Sequence, residues 1–110
     1  MGTTNESSTQ NLEGKTLRFH FSDGPMKGKS YDHTFQSDGT VEWGPEGGAK
    51  TKNENASIAR LGDGVFVGSY MSDKGYTLTT TFNLDTGELV SFASNGEEWS
   101  RHNGTVELVH

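Results

Sequence analysis

The sequence predicts an all-β protein, a single small up-and-down antiparallel β-barrel of about eight strands. Three observations support this fold class. Apolar and polar residues alternate along most of the chain after residue 11, which is the pattern of half-buried strands. Short turn signals, many of them glycines, separate the alternating runs, as expected for hairpin connections. No stretch carries apolar residues at helical spacing.

The alternation defines eight strands in order. They are predicted over residues 16–21, 29–35, 40–43, 56–61, 65–71, 76–84, 88–94 and 98–109. In the first strand, Leu17, Phe19 and Phe21 share one face and are predicted to point inward. Arg18 and His20 share the opposite face and are predicted to point to solvent. Short hairpins between strands favour a barrel over a sandwich, which requires Greek-key crossings.

Three features depart from the regular strand pattern. Residues 1–11 are polar without an apolar period and are predicted to be a disordered leader, before one barrel domain over residues 12–110. Residues 44–53 contain Pro45 and several glycines, which predicts a loop lying across one end of the barrel as a mobile lid. Gly104 is expected to form a β-bulge in the last strand.

Composition excludes several classes of function. A net charge of −6 and an isoelectric point near 5.0 disfavour nucleic-acid binding, which depends on Lys and Arg. No apolar run approaches the roughly 20 residues of a membrane span, so a soluble, cytoplasmic protein is expected. The chain has no cysteine, and its four histidines are dispersed. We therefore predict no metal site and no cofactor.

Five segments of the chain closely resemble the MoaF-related family. Their residues are 12–16 (LEGKT), 23–31 (DGPMKGKSY), 37–41 (SDGTV), 75–79 (GYTLT) and 92–95 (FASN), the last followed by Trp99. The likeness extends over about residues 12–109 in a consistent order. It implies a calycin (lipocalin-like) barrel, and the resemblance to dimeric relatives implies a homodimer.

A more distant similarity, to the phenolic acid decarboxylases, allows one reaction to be checked by position. That family uses two tyrosines, an arginine and a glutamate. Here the tyrosine positions are Phe19 and Phe21, which lack a hydroxyl. The arginine position is Ala49 and the glutamate position is Ser72. Because all four positions differ, decarboxylation of hydroxycinnamic acids is not expected.

Aromatic side chains are predicted to line the barrel interior. If Phe19 and Phe21 face inward, the alternation in the other strands places aromatic rings, a few hydroxyls and one imidazole inside the barrel. Phe66 and Phe82 are expected to be part of the core. This composition is typical of a small-molecule pocket, and the alternative is that the same residues only fill the core. The predicted ligand-binding residues are Phe19, Phe21, Tyr31, His33, Trp43, Tyr70, Tyr76 and Trp99.

His33 and Tyr31 are the candidates for catalysis. A histidine titrates near neutral pH and suits acid–base work, while the alternative is a core histidine bonded to a tyrosine. His102 has the opposite parity to Trp99 and Arg101. It is therefore predicted to face outward unless the bulge at Gly104 shifts the register.

Three functional hypotheses remain open at this stage. The first is binding of a small aromatic or otherwise hydrophobic molecule in the barrel. The second is a cofactor-independent enzyme acting on a small phenolic or related compound with a His/Tyr acid–base pair. The third is a ligand-free self-association module. A homodimer is expected because Val65, Val67 and Met71 form an outward apolar strip.

Overall fold

The computed structural model describes residues 12–36, 40–53, 56–71 and 75–109. The predicted leader, the turn at 37–39 and Ser72 lie outside these ranges. The described ranges contain nine strands: β1 (Thr16–Phe21), β2 (Ser30–Phe35), β3 (Val41–Pro45), β4 (Thr51–Asn53), β5 (Ala56–Gly62), β6 (Val65–Met71), β7 (Thr77–Asn83), β8 (Glu88–Ser94) and β9 (Trp99–Leu108). One turn of 3-10 helix, Gly24–Met26, follows β1. None of the helical structure in the described ranges is long and apolar enough to cross a membrane.

All nine strands belong to one antiparallel sheet that curls into a nearly closed barrel. Their order is β4-β3-β2-β1-β9-β8-β7-β6-β5. The sheet curls far enough to bring β4, at one end, against β6, next to the other end, since Asn53 Nδ2 on β4 donates to the carbonyl of Met71 on β6 at 2.7 Å. The predicted all-β up-and-down barrel is therefore confirmed. The strand count is nine rather than eight because β4 lies in a segment expected to be a loop.

The prediction of a lid over residues 44–53 is wrong. Pro45 ends β3, residues 51–53 form β4, and the turn between them folds over the outside of the barrel. There the amide of Gly47 donates to Asp32 Oδ2 at 3.3 Å, and Glu46 lies 3.4 Å from Arg18 Nη1. Pairing with β3 orders residues that composition alone marks as irregular.

The outer face of β1 and β2 carries a charged network rather than freely solvated groups. Arg18 donates to both oxygens of Asp32, through Nε at 2.8 Å and Nη2 at 3.2 Å. Hydrogen bonding from Arg18 lowers the pKa of Asp32, and burial opposes this shift. His20 Nε2 lies 2.7 Å from Glu107. This network ties β2 to β1 and to the β3–β4 turn.

The predicted bulge at Gly104 is also absent. β9 keeps a regular register with β1 and with β8 through Gly104, and the register shift lies in β5 between Arg60 and Gly62. Gly104 serves a different purpose, because a Cβ there would collide with the backbone carbonyl of His20. The glycine permits close approach of β9 to β1.

The barrel interior is an aromatic and aliphatic core. Phe19 packs against Phe82 with ring centroids 5.5 Å apart, and Phe82 stacks on Phe66 at 5.6 Å. Thr80 Oγ1 and Ser91 Oγ, 2.7 Å apart, form a buried polar pair within this apolar surface. The two hydroxyls satisfy each other, as buried polar groups require.

Candidate functional site

Strands from opposite sides of the barrel enclose a small cavity, which we call the enclosed cavity. It has a volume of about 30 Å³, and its lining includes Phe19, His33, Tyr70, Thr80 and Phe82. Such a volume holds about two water molecules. Side chains therefore fill this part of the interior, and the cavity has no room for an aromatic ligand.

His33 lies at the wall of the enclosed cavity, between two rings. It stacks on Phe19 with centroids 4.2 Å apart, and its plane lies within 16° of that of Trp43. Nε2 of His33 is 3.1 Å from the Tyr70 hydroxyl, across the barrel. Among the described residues, its buried Nδ1 has no hydrogen-bond partner of ordinary geometry.

Burial sets the charge state of this pair. It lowers the pKa of His33 to about 3, with the Asp32 carboxylate and the Tyr31 backbone opposing the shift. Burial also raises the pKa of Tyr70. Both side chains are therefore neutral at pH 7, and His33 carries no extra proton to give to a substrate. The arrangement supports hydrogen bonding better than general acid catalysis.

A second, larger cavity opens at one end of the barrel, and we call it the mouth pocket. Its volume is about 420 Å³. Interior residues of β7, β8 and β9 form its floor, and the 3-10 helix and the starts of β7 and β9 form its walls. The lining residues are Pro25, Met26, Tyr76, Leu78, Ala93, Glu98, Trp99, Ser100 and His102.

The wall formed by Pro25 and Met26 is held in place by hydrogen bonds to β9. Asp23 accepts from the backbone amide of Asn103 at 2.7 Å and from its side-chain Nδ2 at 2.8 Å. The side-chain and backbone hydrogen bonds from Asn103 both lower the pKa of Asp23. Gly24 has φ +76 and lies so close to β9 that a Cβ would be 2.7 Å from the Arg101 carbonyl. This side of the pocket is therefore preformed.

His102 forms part of the pocket floor. Its Nε2 is 3.0 Å from Ser100 Oγ, and its buried Nδ1 has no hydrogen-bond partner within the described ranges. A Cβ on Gly24 would lie 2.8 Å from that Nδ1. Burial lowers the pKa of His102, with Asp23 opposing the shift. The imidazole is therefore a neutral hydrogen-bonding group beside a pocket.

The parity predicted for β9 is wrong. His102 is buried, whereas Trp99 is 72% exposed at the rim. Val106 and His102 share the interior face of β9, and Gly104 between them lies against β1. The prediction assumed that the aromatic residue must face inward, but the regular register of β9 places Trp99 on the face opposite to His102 and Val106.

The predicted ligand-binding residues divide among three places. The enclosed cavity is lined by Phe19, His33 and Tyr70. The mouth pocket is lined by Tyr76 and Trp99. A chain of ring contacts joins Phe21, Tyr31 and Trp43. The structure thus does not bring all eight residues around one ligand-sized space.

Phe21 lies between the two histidine environments. Its ring is 6.2 Å from that of Tyr31 and 5.9 Å from that of His102. Tyr31 then contacts Trp43 at 6.1 Å, and Trp43 lies beside His33. The tyrosine hydroxyl beside His33 Nε2 is that of Tyr70, and Tyr31 is a half-buried link in the ring network.

Sequence reasoning missed several mouth-pocket residues, notably Met26, Glu98, Ser100 and His102. One signal could have found His102 and Ser100. After Trp99, Val106 is the next apolar residue of β9, and stepping back from it two residues at a time reaches His102 and Ser100. Met26 and Glu98 lie in connections, where alternation gives no direction.

These features define a class: a small, nearly closed antiparallel β-barrel with a packed interior and a pocket at one end. The profile of the MoaF N-terminal domain matches residues 3–98, and the chain belongs to this family. The resemblance found in the sequence motifs is therefore confirmed. No curated protein matches the chain.

A solved structure shows a similar fold. It is a protein from Burkholderia vietnamiensis described as a "putative beta-lactamase", with a TM-score of 0.70. The superposition covers 89% of this chain and 95% of the other at 16% sequence identity. At this identity the similarity concerns the fold alone.

Proposed function

We propose that this protein binds one small organic molecule in the mouth pocket. The observation that carries the proposal is the pocket itself: its volume of about 420 Å³ lies in the range of small-molecule sites. Leu78, Ala93 and Met26 supply apolar surface, and Ser100 and His102 supply polar atoms. A mostly apolar site with a few placed polar groups is the usual composition of such pockets.

The same site is consistent with a ligand inside the barrel. The floor residues Leu78, Ala93 and His102 face the interior, so a bound molecule would occupy one end of it. The enclosed cavity, at about 30 Å³, serves as the packed base beneath. In this proposal, His33 and Tyr70 stabilise the scaffold and do not contact the ligand.

The two tryptophans allow a direct test with a neutral probe, 2-phenylethanol. Trp99 lines the mouth pocket and Trp43 does not contribute to its lining. We expect 2-phenylethanol to change the fluorescence of the Trp43→Phe variant, which keeps Trp99. The matched Trp99→Phe variant should show no such change. Amide NMR shifts should concentrate at Ala93, Ser100 and His102.

A filled pocket provides the control. Ala93→Phe places a ring on the pocket floor and should abolish the shifts while the remaining amide spectrum stays dispersed. If 2-phenylethanol instead perturbs residues around His33, or perturbs none of the pocket amides at millimolar concentration, the proposed function is wrong.

We also propose that two copies pair through the outer face of β6–β8. The predicted strip is only partly exposed, since Val65 and Val67 are half-buried and Met71 is 54% exposed. The register extends this surface across the sheet: Val67 is level with Val90, and Phe92, 41% exposed, lies two residues further along β8. In a dimer with twofold symmetry, the same patch on the second copy would cover this apolar surface.

Light scattering tests the dimer. We expect a mass near twice 12.0 kDa for the unmodified chain at micromolar concentration. Phe92→Glu should give the monomer mass. The control, Thr105→Glu, adds the same charge to an exposed outer position of β9 away from the patch and should remain dimeric. A monomer for the unmodified chain would contradict the proposal.

A further inference from the structure

We propose that the mouth pocket selects organic cations, specifically an ammonium group carried on a compact apolar body. This inference rests on the proposed function and names the chemical class of ligand that the site would take. It follows from three features of the lining: one carboxylate, two aromatic rings suited to a cation, and no opposing positive charge among the described lining residues.

Glu98 is the carboxylate. Of the described lining residues, it is the one that carries a formal charge at neutral pH, because burial keeps His102 neutral. The Glu98 backbone amide donates to Asn95 Oδ1 at 2.7 Å, which fixes the turn before β9. Its side chain is exposed and takes no part in that turn. The carboxylate is therefore available to face a ligand.

Trp99 and Tyr76 are the rings. Both line the pocket, and tryptophan and tyrosine are the side chains whose ring faces attract cations best. Trp99 is 72% exposed, an unusual state for so large an apolar surface. A ligand stacked on it would cover that surface. Aromatic walls beside a carboxylate are a recurring arrangement for ammonium recognition.

The nearby positive side chains, Arg101 and Lys27, do not line the pocket. Arg101 lies on the outward face of β9, where its Nε donates to Asn103 Oδ1 at 3.2 Å. Lys27 is exposed and is not among the lining residues of the pocket. The net charge of −6 adds a general attraction for cations. An anionic ligand would be repelled both by the Glu98 carboxylate and by the net negative charge of the chain.

Three probes of similar size separate charge from shape. At pH 7 and low ionic strength, 2-phenylethylamine is a cation, 2-phenylethanol is neutral and 3-phenylpropionate is an anion. We expect the amine to bind about fivefold to tenfold more tightly than the alcohol, the range of a partly exposed ion pair with a cation–π contact. The propionate should bind most weakly. Added salt should reduce the preference.

Glu98→Gln and Glu97→Gln form a matched pair of variants. Each removes one negative charge from adjacent positions, so their net charges are identical, and only Glu98 lines the pocket. Glu98→Gln should weaken amine binding more than alcohol binding, and so reduce the preference for the amine to the part that the two rings supply. Glu97→Gln should retain the preference for the amine.

The outcomes distinguish this inference from the proposed function. If amine and alcohol bind equally, or if both glutamine variants lose the preference to the same extent, the pocket binds small molecules without selecting cations and the inference is wrong. If none of the three probes shifts the amides of Ser100 and His102, the proposed function and the inference fail together.

Discussion

The barrel places two buried histidines in different surroundings. His33 and His102 each pair one ring nitrogen with a hydroxyl, from Tyr70 and Ser100 respectively. Each leaves Nδ1 without a hydrogen-bond partner in the described part of the chain. His33 is stacked between the rings of Phe19 and Trp43 at the wall of the enclosed cavity, whose volume is about 30 Å³. His102 borders the mouth pocket, whose volume is about 420 Å³.

This difference separates the packed end of the interior from the open end. At the packed end, side chains fill the space, and any change there leaves a void or an unsatisfied group. At the open end, solvent or a ligand can replace a lost contact. The same residue type is therefore structural in one place and available for binding in the other.

The largest expected effect comes from truncating one interior residue at each end. Phe82→Ala removes a ring that contacts both Phe19 and Phe66, and should lower the free energy of unfolding by about 3–5 kcal/mol. Leu78→Ala removes a half-buried side chain at the mouth pocket and should lower it by about 1–2 kcal/mol. Urea unfolding measures both values. Equal losses would mean that the mouth is as tightly packed as the core.

The second prediction concerns stability at mildly acidic pH. The pKa of His33 is about 3 in the folded protein and near 6.5 in the unfolded chain. Between these values the unfolded chain binds more protons, so the free energy of unfolding falls as pH falls, by up to about 1.4 kcal/mol per pH unit. Urea titrations between pH 7 and pH 4.5 should show this loss.

Two variants show how much of this loss of stability comes from His33 at the packed end and how much from His102 at the open end. His33→Phe preserves a ring between Phe19 and Trp43 and should flatten most of the pH dependence in this window. The pKa of His102 is also lowered, so the remaining slope should disappear in the double variant with His102→Phe. The lowered pKa values of Asp23 and Asp32 change the free energy of unfolding below about pH 4, outside this window. A slope unchanged in His33→Phe would contradict a neutral buried His33.

Much of the barrel was predictable from alternation and turn chemistry. The interior face of β1, with Phe19 and Phe21 buried, and the hairpin between β7 and β8 follow from a period of two and a glycine-containing turn. The strand β4 was not predictable from these rules. Its three residues pair with β3. Because all three are polar, the sequence shows no alternation of apolar and polar residues there.

The site was predictable only in composition. An aromatic, weakly polar interior was expected, but alternation cannot show how rings fill space, and here they leave room mainly at one end. The direction of Trp99 was predicted wrongly because a large ring was taken as the sign of the interior face, whereas β9 turns it outward together with Arg101. The pairing of His33 with Tyr70 depends on how far the sheet curls, since the two lie 37 positions apart in sequence.

The third prediction removes the hydroxyl at the packed end. Tyr70→Phe leaves Nε2 of His33 buried without its partner, in a cavity with room for about two waters. The expected loss of stability is about 1–2 kcal/mol, the range for an unsatisfied buried polar group. Urea unfolding at pH 7 gives the value. No measurable loss would contradict this prediction and show that water takes the place of the tyrosine hydroxyl.

The smallest effect is expected from the corresponding change at the open end. Ser100→Ala removes the partner of His102 Nε2, but this hydroxyl lines the mouth pocket, where a water molecule can take its place. We therefore expect a loss of about 0.5 kcal/mol or less by urea unfolding. Because the serine supplies a polar atom to the pocket floor, the same variant should bind 2-phenylethanol more weakly. A loss as large as that of Tyr70→Phe, with unchanged binding of the alcohol, would make His102 a structural histidine like His33 and remove the distinction between the two ends.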